Sequence, residues 1–297
     1  MAITVASDVG SLINAEAIDT VITEYQYDEM VVAPFVRFKS LVGEGTAVAS
    51  FPRRVKSPTS IGTIANETTS MTTQAMSFTD TTVSVTRYGI LRGISTTAEE
   101  DNILGASIYS QEFIMDAARL YGELQDTLVC NLFTGLTASV GSTGTALTLA
   151  TLAAAFANQR VQKARGRHVC ILHDLQAKQL QAAQLAATAT AWSQFWDANA
   201  DSSTNYLGTF FRTDVWSTGL APTANAAADR VGVLMPVGSN AGGNDAYSPF
   251  ALVVKRLPTS KSDEDIAQDS KTWASTWRGG VGEIADNFGT KIISQNS

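Results

Sequence analysis

The sequence predicts an α+β fold, and three observations carry that reading. Apolar residues recur at helical spacing from Phe113 to Leu132, over more turns than most helices have. Before them lies a Thr-rich, almost uncharged stretch with strand propensity. After them, short apolar runs alternate with capped helical segments.

The elements follow in order. Leu12, Ala15, Ile18 and Ile22 form a helical stripe within residues 9–33, with Ser11 or Asn14 as its cap and Pro34 as its end. Residues 40–88 read as a long two-stranded excursion. Within 59–86 there are ten Thr and four Ser in 28 positions, with only Glu67 and Asp80 charged. Such a hairpin is rich in β-branched residues but too poor in large apolar ones to be stable alone. It is either disordered or laid on a partner surface, and its strand propensity and lack of charge favour the partner. The core is expected to lie entirely outside it.

Thr97 and Glu100 fit a capping box, and a helix is predicted from about 107 to 135. Phe113, Ala117, Leu120, Leu124, Leu128 and Leu132 make its buried stripe. Glu112, Asp116, Glu123 and Asp126 fall off it, and Gly135 stops it. At 1.5 Å per residue the helix is about 40 Å long, a brace across a flat domain. Residues 137–147 are a loop or weak strands. Thr148 caps a helix carrying Leu149, Leu152 and Phe156, which Gly166 closes. His168 to Leu172 is a buried strand, and Asp174 caps a second helix from Leu175 to about Ala187. Further strands are expected around Leu207–Trp216, Val231–Val237 and Phe250–Lys255. The close, 257–293, alternates polar residues around Trp273 and Trp277, with a break at Gly279 and Gly280.

Composition bounds the function. Charged residues are 16% of the 297 positions, against roughly a quarter in ordinary soluble domains, so part of the surface is expected to be hidden against partners. A net charge of −7 argues against sequence-specific grip on nucleic acid. The first residues lack the basic and apolar regions of a signal peptide, and no apolar run approaches the ~18 residues of a membrane helix. Cys130 and Cys170 read as buried, reduced thiols.

Little chemistry is written in the chain. His168, Cys170 and His173 lie close in sequence, but their spacing matches no standard zinc pattern and a fourth ligand is missing. A Cys170–His173 nucleophile pair has nothing nearby to orient it. The glycine-rich stretch 238–243 lacks the strand–helix context of a phosphate loop. Asp263, Glu264 and Asp265 read as a solvated acidic run. Arg53, Arg54 and Lys56 form the densest basic cluster, either pairing with a neighbour's carboxylates or simply solvated. No catalytic residue, cofactor or metal is expected.

Taken in order, the pieces resemble the coat-protein fold of tailed bacteriophages, the Hong Kong 97-type fold shared with herpesviruses and encapsulins. The Thr-rich hairpin at 40–88 is similar to that family's extended loop. Residues 95–102, leading into the helix near 107–135, resemble the run into its spine helix. Residues 167–180 resemble the strand–turn–helix of its axial domain, and 207–220 the next strand pair. Residues 255–293 look like the return to its peripheral domain. The resemblance implies an N-terminal arm (1–39), an extended loop (40–88), a peripheral domain (89–147 and 255–297) and an axial domain (148–254).

It also implies a major capsid protein that assembles with itself, as pentamers and hexamers, into an icosahedral shell around double-stranded DNA. That DNA would be contacted non-specifically. A separate scaffolding protein and a portal are the implied partners, with a decoration protein as an optional one, no membrane involved and the virion as the location. Phe51, Arg53, Arg54, Lys56, Ile61, Ile64 and Phe78 are the expected subunit contacts. The rival readings are an encapsulin-like compartment enclosing enzymes, a metal or Cys/His hydrolase, and a tail or adhesion protein.

Overall fold

Two sheets and one long helix organise the chain. The computed structural model describes residues 30–55, 77–95, 97, 106–162, 164, 166–186, 205–237, 248–265 and 269–296. The arm's stripe at 12–22, the hairpin tip at 56–76 and most of the capping box lie outside these residues.

A short 3-10 turn, Ala33–Phe35, leads into β1 (Arg37–Ser40). Pro34 sits at the start of that turn, where its missing N–H costs nothing, so it begins a turn and does not end a helix. β2 (Val48–Val55) and β3 (Ser77–Ser84) pair antiparallel from Val48↔Ser84 to Val55↔Ser77. β4 (Thr86–Ser95) follows, then helix α1 (Ala106–Asn131) and a 3-10 turn, Leu132–Gly135. The helix is 26 residues and so about 39 Å long.

The remaining elements are β5 (Ser139–Gly141), α2 (Leu149–Val161), β6 (His168–His173), α3 (Asp174–Ala186), β7 (Tyr206–Phe210), β8 (Thr213–Thr218) and β9 (Thr223–Ala224). Then come β10 (Asp229–Pro236), β11 (Phe250–Asp265), β12 (Ser270–Glu283) and β13 (Thr290–Gln295). The first sheet has the order β1-β11-β12-β4, and the second β5-β13-β10-β6-β8-β7, with β9 on β10.

The buried face of α1 is turned from the expected stripe. Phe113, Ala117, Ala118, Tyr121, Gln125, Asp126, Val129 and Cys130 are buried, whereas Leu120 is 46% exposed. The cause is that the helix packs on both sheets at once, which widens its buried arc beyond one row. One core cluster joins Tyr121, Cys130 and Phe133 to Phe250, Leu252 and Trp277 of the first sheet. The same cluster takes in Val169, Ile171, Val233 and Met235 of the second. A second cluster, built on Leu152, Phe156, Cys170, Leu172 and Leu180, fills the other face of the second sheet under α2 and α3.

One expectation for the closing residues is corrected. Gly279 and Gly280 do not break a strand, because β12 runs through them to Glu283. They are glycine because another chain segment crosses there: a Cβ on Gly280 would stand 2.1 Å from the Ser84 carbonyl oxygen. β13 inserts between β5 and β10, parallel to one and antiparallel to the other.

Buried glutamines fix that insertion. Gln159 Nε2 donates to Thr290 Oγ1 (2.9 Å) and the Leu234 carbonyl (3.3 Å). Gln176 accepts from the His173 N–H and donates to the carbonyls of Arg230 and Ile292, at 3.0, 3.1 and 3.2 Å. Gln179 accepts from the Leu147 N–H and donates to the Gln295 carbonyl, both at 2.8 Å. Gln176 and Gln179 each match both a donor and acceptors left open beneath a helix, whereas Gln159 only donates and its side-chain oxygen is buried without a partner among the described residues.

Gln176→Ala strands three backbone groups at once and is expected to destabilise the fold by about 2–4 kcal/mol. The exposed Gln181→Ala, on the same helix, is expected to stay within about 0.5 kcal/mol. Urea unfolding of the two variants beside the parent chain measures the difference.

Candidate functional site

The hairpin is where the sequence places subunit contacts, and its base is welded to the body. Ala49, Phe51 and Val83 are buried with Leu41, Ala251, Val253, Ile284 and Ala285. This corrects two expectations: the hairpin does contribute core, and Phe51 is an internal residue of its own subunit. Strand alternation is the reason. Ala49 and Phe51, two apart in β2, face the body, where the Arg37 guanidinium and Lys39 ammonium stand 5.3 and 5.2 Å from the Phe51 ring centre.

Lysines tie down the backbone around it. Lys39 Nζ donates to the Ser50 carbonyl at 2.9 Å, and Lys255 Nζ to the carbonyls of Glu44 (3.1 Å) and Thr46. Ser50 Oγ donates to Asp80 across the two strands at 2.6 Å. On the far side Gly282 lets Val83 lie directly on β12, since a Cβ there would meet the Val83 side chain at 2.5 Å.

The other expected contacts separate by position. Arg53 and Arg54 lie in β2, and Arg54 pairs in register with Phe78. Phe78 is 66% exposed, a large apolar ring facing water. Lys56, Ile61 and Ile64 lie outside the described residues. Exposed apolar side chains therefore begin where the hairpin leaves the body.

The His–Cys candidates do not form a reactive set. Cys170 is buried under α2 and α3, where burial pushes its thiol up to about 12. Burial also pushes the Cys130 thiol up, with the Asp126 charge adding to it. His168 Nδ1 hydrogen-bonds the Gly166 carbonyl at one end of β6. His173, at the other end, accepts the Leu175 N–H on Nδ1 at 3.0 Å. Among the described residues no three His, Cys, Asp or Glu side chains are grouped to hold a metal ion, and no helix is long and apolar enough to cross a membrane.

His173, and not Asp174, thus caps α3, and Asp174 is the first residue of the helix. Burial, then the nearby Arg230 charge, hold the His173 imidazole below its usual range. Sequence reasoning also missed Asp126. Its carboxylate accepts the N–H groups of Val31, Val32 and Ala33 at 2.7–3.1 Å and so anchors the start of the described chain on α1. Burial pushes this carboxyl up, and the three donors pull it back in part. The signal was present: Ala118, Gly122 and Asp126 share one helical facet, whose two small residues leave room for a backbone to approach.

No family model matches the sequence, and no curated protein matches it either. Solved structures do. A structure of Mycobacterium phage Che8 matches with a TM-score of 0.67 at 14% identity, over 89% of this chain and 90% of that one. The capsid of cyanophage P-SCSP1u matches with a TM-score of 0.63 at 13% identity, over 90% and 89%. The SrpI encapsulin of Synechococcus elongatus matches with a TM-score of 0.60 at 8% identity, over 86% and 84%.

His173 gives a pH signature. A depressed imidazole contributes stability above its unfolded value near 6.5, and that contribution is lost as pH falls through the lower folded value. Protonation also removes the acceptor that caps α3. Unfolding free energy is expected to fall from pH 7.5 to 5.5, and to fall less in His173→Asn, as read by denaturant titration at each pH.

Over about nine-tenths of its length, this chain has the fold of tailed-phage capsid subunits, a fold that an encapsulin shares.

Proposed function

We propose that the protein is a major capsid protein, which assembles with itself as pentamers and hexamers into the icosahedral shell of a tailed bacteriophage. The observation that carries this reading is the match to phage capsid structures along nearly the whole chain. Two physical features support it. Charge is sparse, as in a chain that covers much of its surface with copies of itself. The hairpin is packed on the body at its base and presents Phe78 to solvent beyond it, which suits a contact with a neighbouring copy. Many modest contacts, each repeated on several neighbours, add up to a stable closed shell.

In this reading Arg53, Arg54, Lys56, Ile61, Ile64 and Phe78 are contacts on the next subunit, while Phe51 holds the arm to its own. Double-stranded DNA is enclosed without base readout. A scaffolding protein, a portal and a decoration protein are the further partners, and the virion is the location. No step of this function needs a catalytic residue. The second reading, a compartment enclosing enzymes, is favoured by the encapsulin match. Shells purified from cells are expected to hold double-stranded DNA, and protein cargo without DNA would decide for the second reading.

Replacing residues 57–76 by a short Gly-Ser linker leaves Ala49, Phe51 and Val83 in place. Loop closure cost changes slowly with length, so the subunit is expected to keep its circular dichroism spectrum and melting temperature. Shells are expected to vanish from electron micrographs and sedimentation profiles. Normal shells from this variant would remove the arm from assembly.

A further inference from the structure

Three consecutive residues in the turn between β9 and β10 have left-handed backbone, and none is glycine. Asn225, Ala226 and Ala227 have φ of 51°, 53° and 68°. Asparagine tolerates that region, but alanine disfavours it, because its Cβ crowds the following carbonyl oxygen. Glycine would hold the same backbone without the crowding. Residues 225–228 are all exposed, so burial of the alanine methyls does not offset the strain.

Strain of this kind persists where the surroundings over-determine the backbone. Here the holding contacts come from the segment after β13 and from the loop after β5. Asn296 donates its backbone N–H to the Ala228 carbonyl and its Nδ2 to the Ala227 carbonyl, both at 2.9 Å. Arg230 Nε steadies that side chain by donating to Asn296 Oδ1 at 2.8 Å. Asn225 Nδ2 donates to Thr143 Oγ1 at 2.9 Å and to the buried Asp229 carboxylate. The same carboxylate accepts the Gly144 N–H at 3.0 Å, and the Gln295 N–H donates to the Thr145 carbonyl at 3.0 Å. Residues 295–296, the turn and the loop 143–145 therefore share one hydrogen-bond network.

We propose that residues 225–227 are a sprung turn and that Asn296 is its latch. With Asn296 seated, the turn is held left-handed. With Asn296 withdrawn, the two alanines relax to negative φ, Asn225 leaves Thr143 and Asp229, and the loop 143–145 loosens with it. That loop follows β5, a three-residue edge strand of the second sheet. The seating of the segment after β13 is thus felt at the edge of the sheet. The device lies within one subunit and works whatever the subunit assembles into.

The test is made on the full-length chain by urea unfolding. Ala226→Gly with Ala227→Gly is expected to raise the folding equilibrium constant at least threefold, because the relief outweighs the looser unfolded chain that glycine brings. In an Asn296→Ala background the same pair is expected to give no gain or a loss, since glycine then only loosens a turn that has already relaxed. A gain of equal size in both backgrounds, or none in the parent chain, would overturn the latch. If Asn296→Ala does not fold, Arg230→Met, which frees the Asn296 side chain without touching the turn, is the second background with the same expectation. Amide exchange locates the change. In the unlatched chain, exchange at Gly144 and Ala228 is expected to speed up at least tenfold more than at Ile171 of β6. An equal increase at all three would mean general loosening, and no increase at Gly144 would uncouple the loop from the latch. Both results count against the device.

Discussion

One helix touching two sheets is the constraint on which the rest of the structure depends. α1 and the 3-10 turn that ends it bring Tyr121, Cys130 and Phe133 together with Trp277 and Phe250 of one sheet and the β6 and β10 strands of the other, in a single buried cluster. Neither sheet covers its inner face without the helix, so the three share one core. The same helix carries Asp126, so residues 31–33 are held by the piece that joins the two sheets.

Polarity in the interior follows a common rule. Wherever a helix or a loop covers sheet backbone, a side chain with both a donor and an acceptor, or a long cation, meets the uncovered groups. Gln159, Gln176 and Gln179 do this under α2 and α3, and Lys39 and Lys255 at the foot of the hairpin. These contacts cost little charge, in keeping with a chain that has few charges to use. The exposed ion pair Arg92–Asp116, at 2.5 Å, adds little by comparison.

Much of this was legible in the sequence. Period-two and period-3.6 patterns located α1, α2, β6 and α3 within a few residues, because there burial alone chooses the pattern. The Thr148 cap was readable for the same local reason, and it receives the Thr151 N–H. What was not legible depends on partners far along the chain. Phe51 looked like a contact because nothing in β2 says which face meets Val253. Gly280 looked like a break because the Ser84 backbone that needs the space is almost two hundred residues earlier. Asp126 looked solvated because its partners are backbone groups, which leave no mark in composition. The expected subunit contacts at 56–64 lie outside the described residues, and the sequence alone still speaks for them.

The place of β13 has a kinetic meaning. Its six residues fill an interior position of the second sheet, between a strand made more than 140 residues earlier and one made about 60 earlier. Until residue 295 has left the ribosome, β5 and β10 present open edges, and Gln176 and Gln179 lack the carbonyls of Ile292 and Gln295. The body therefore cannot finish before nearly all 297 residues exist.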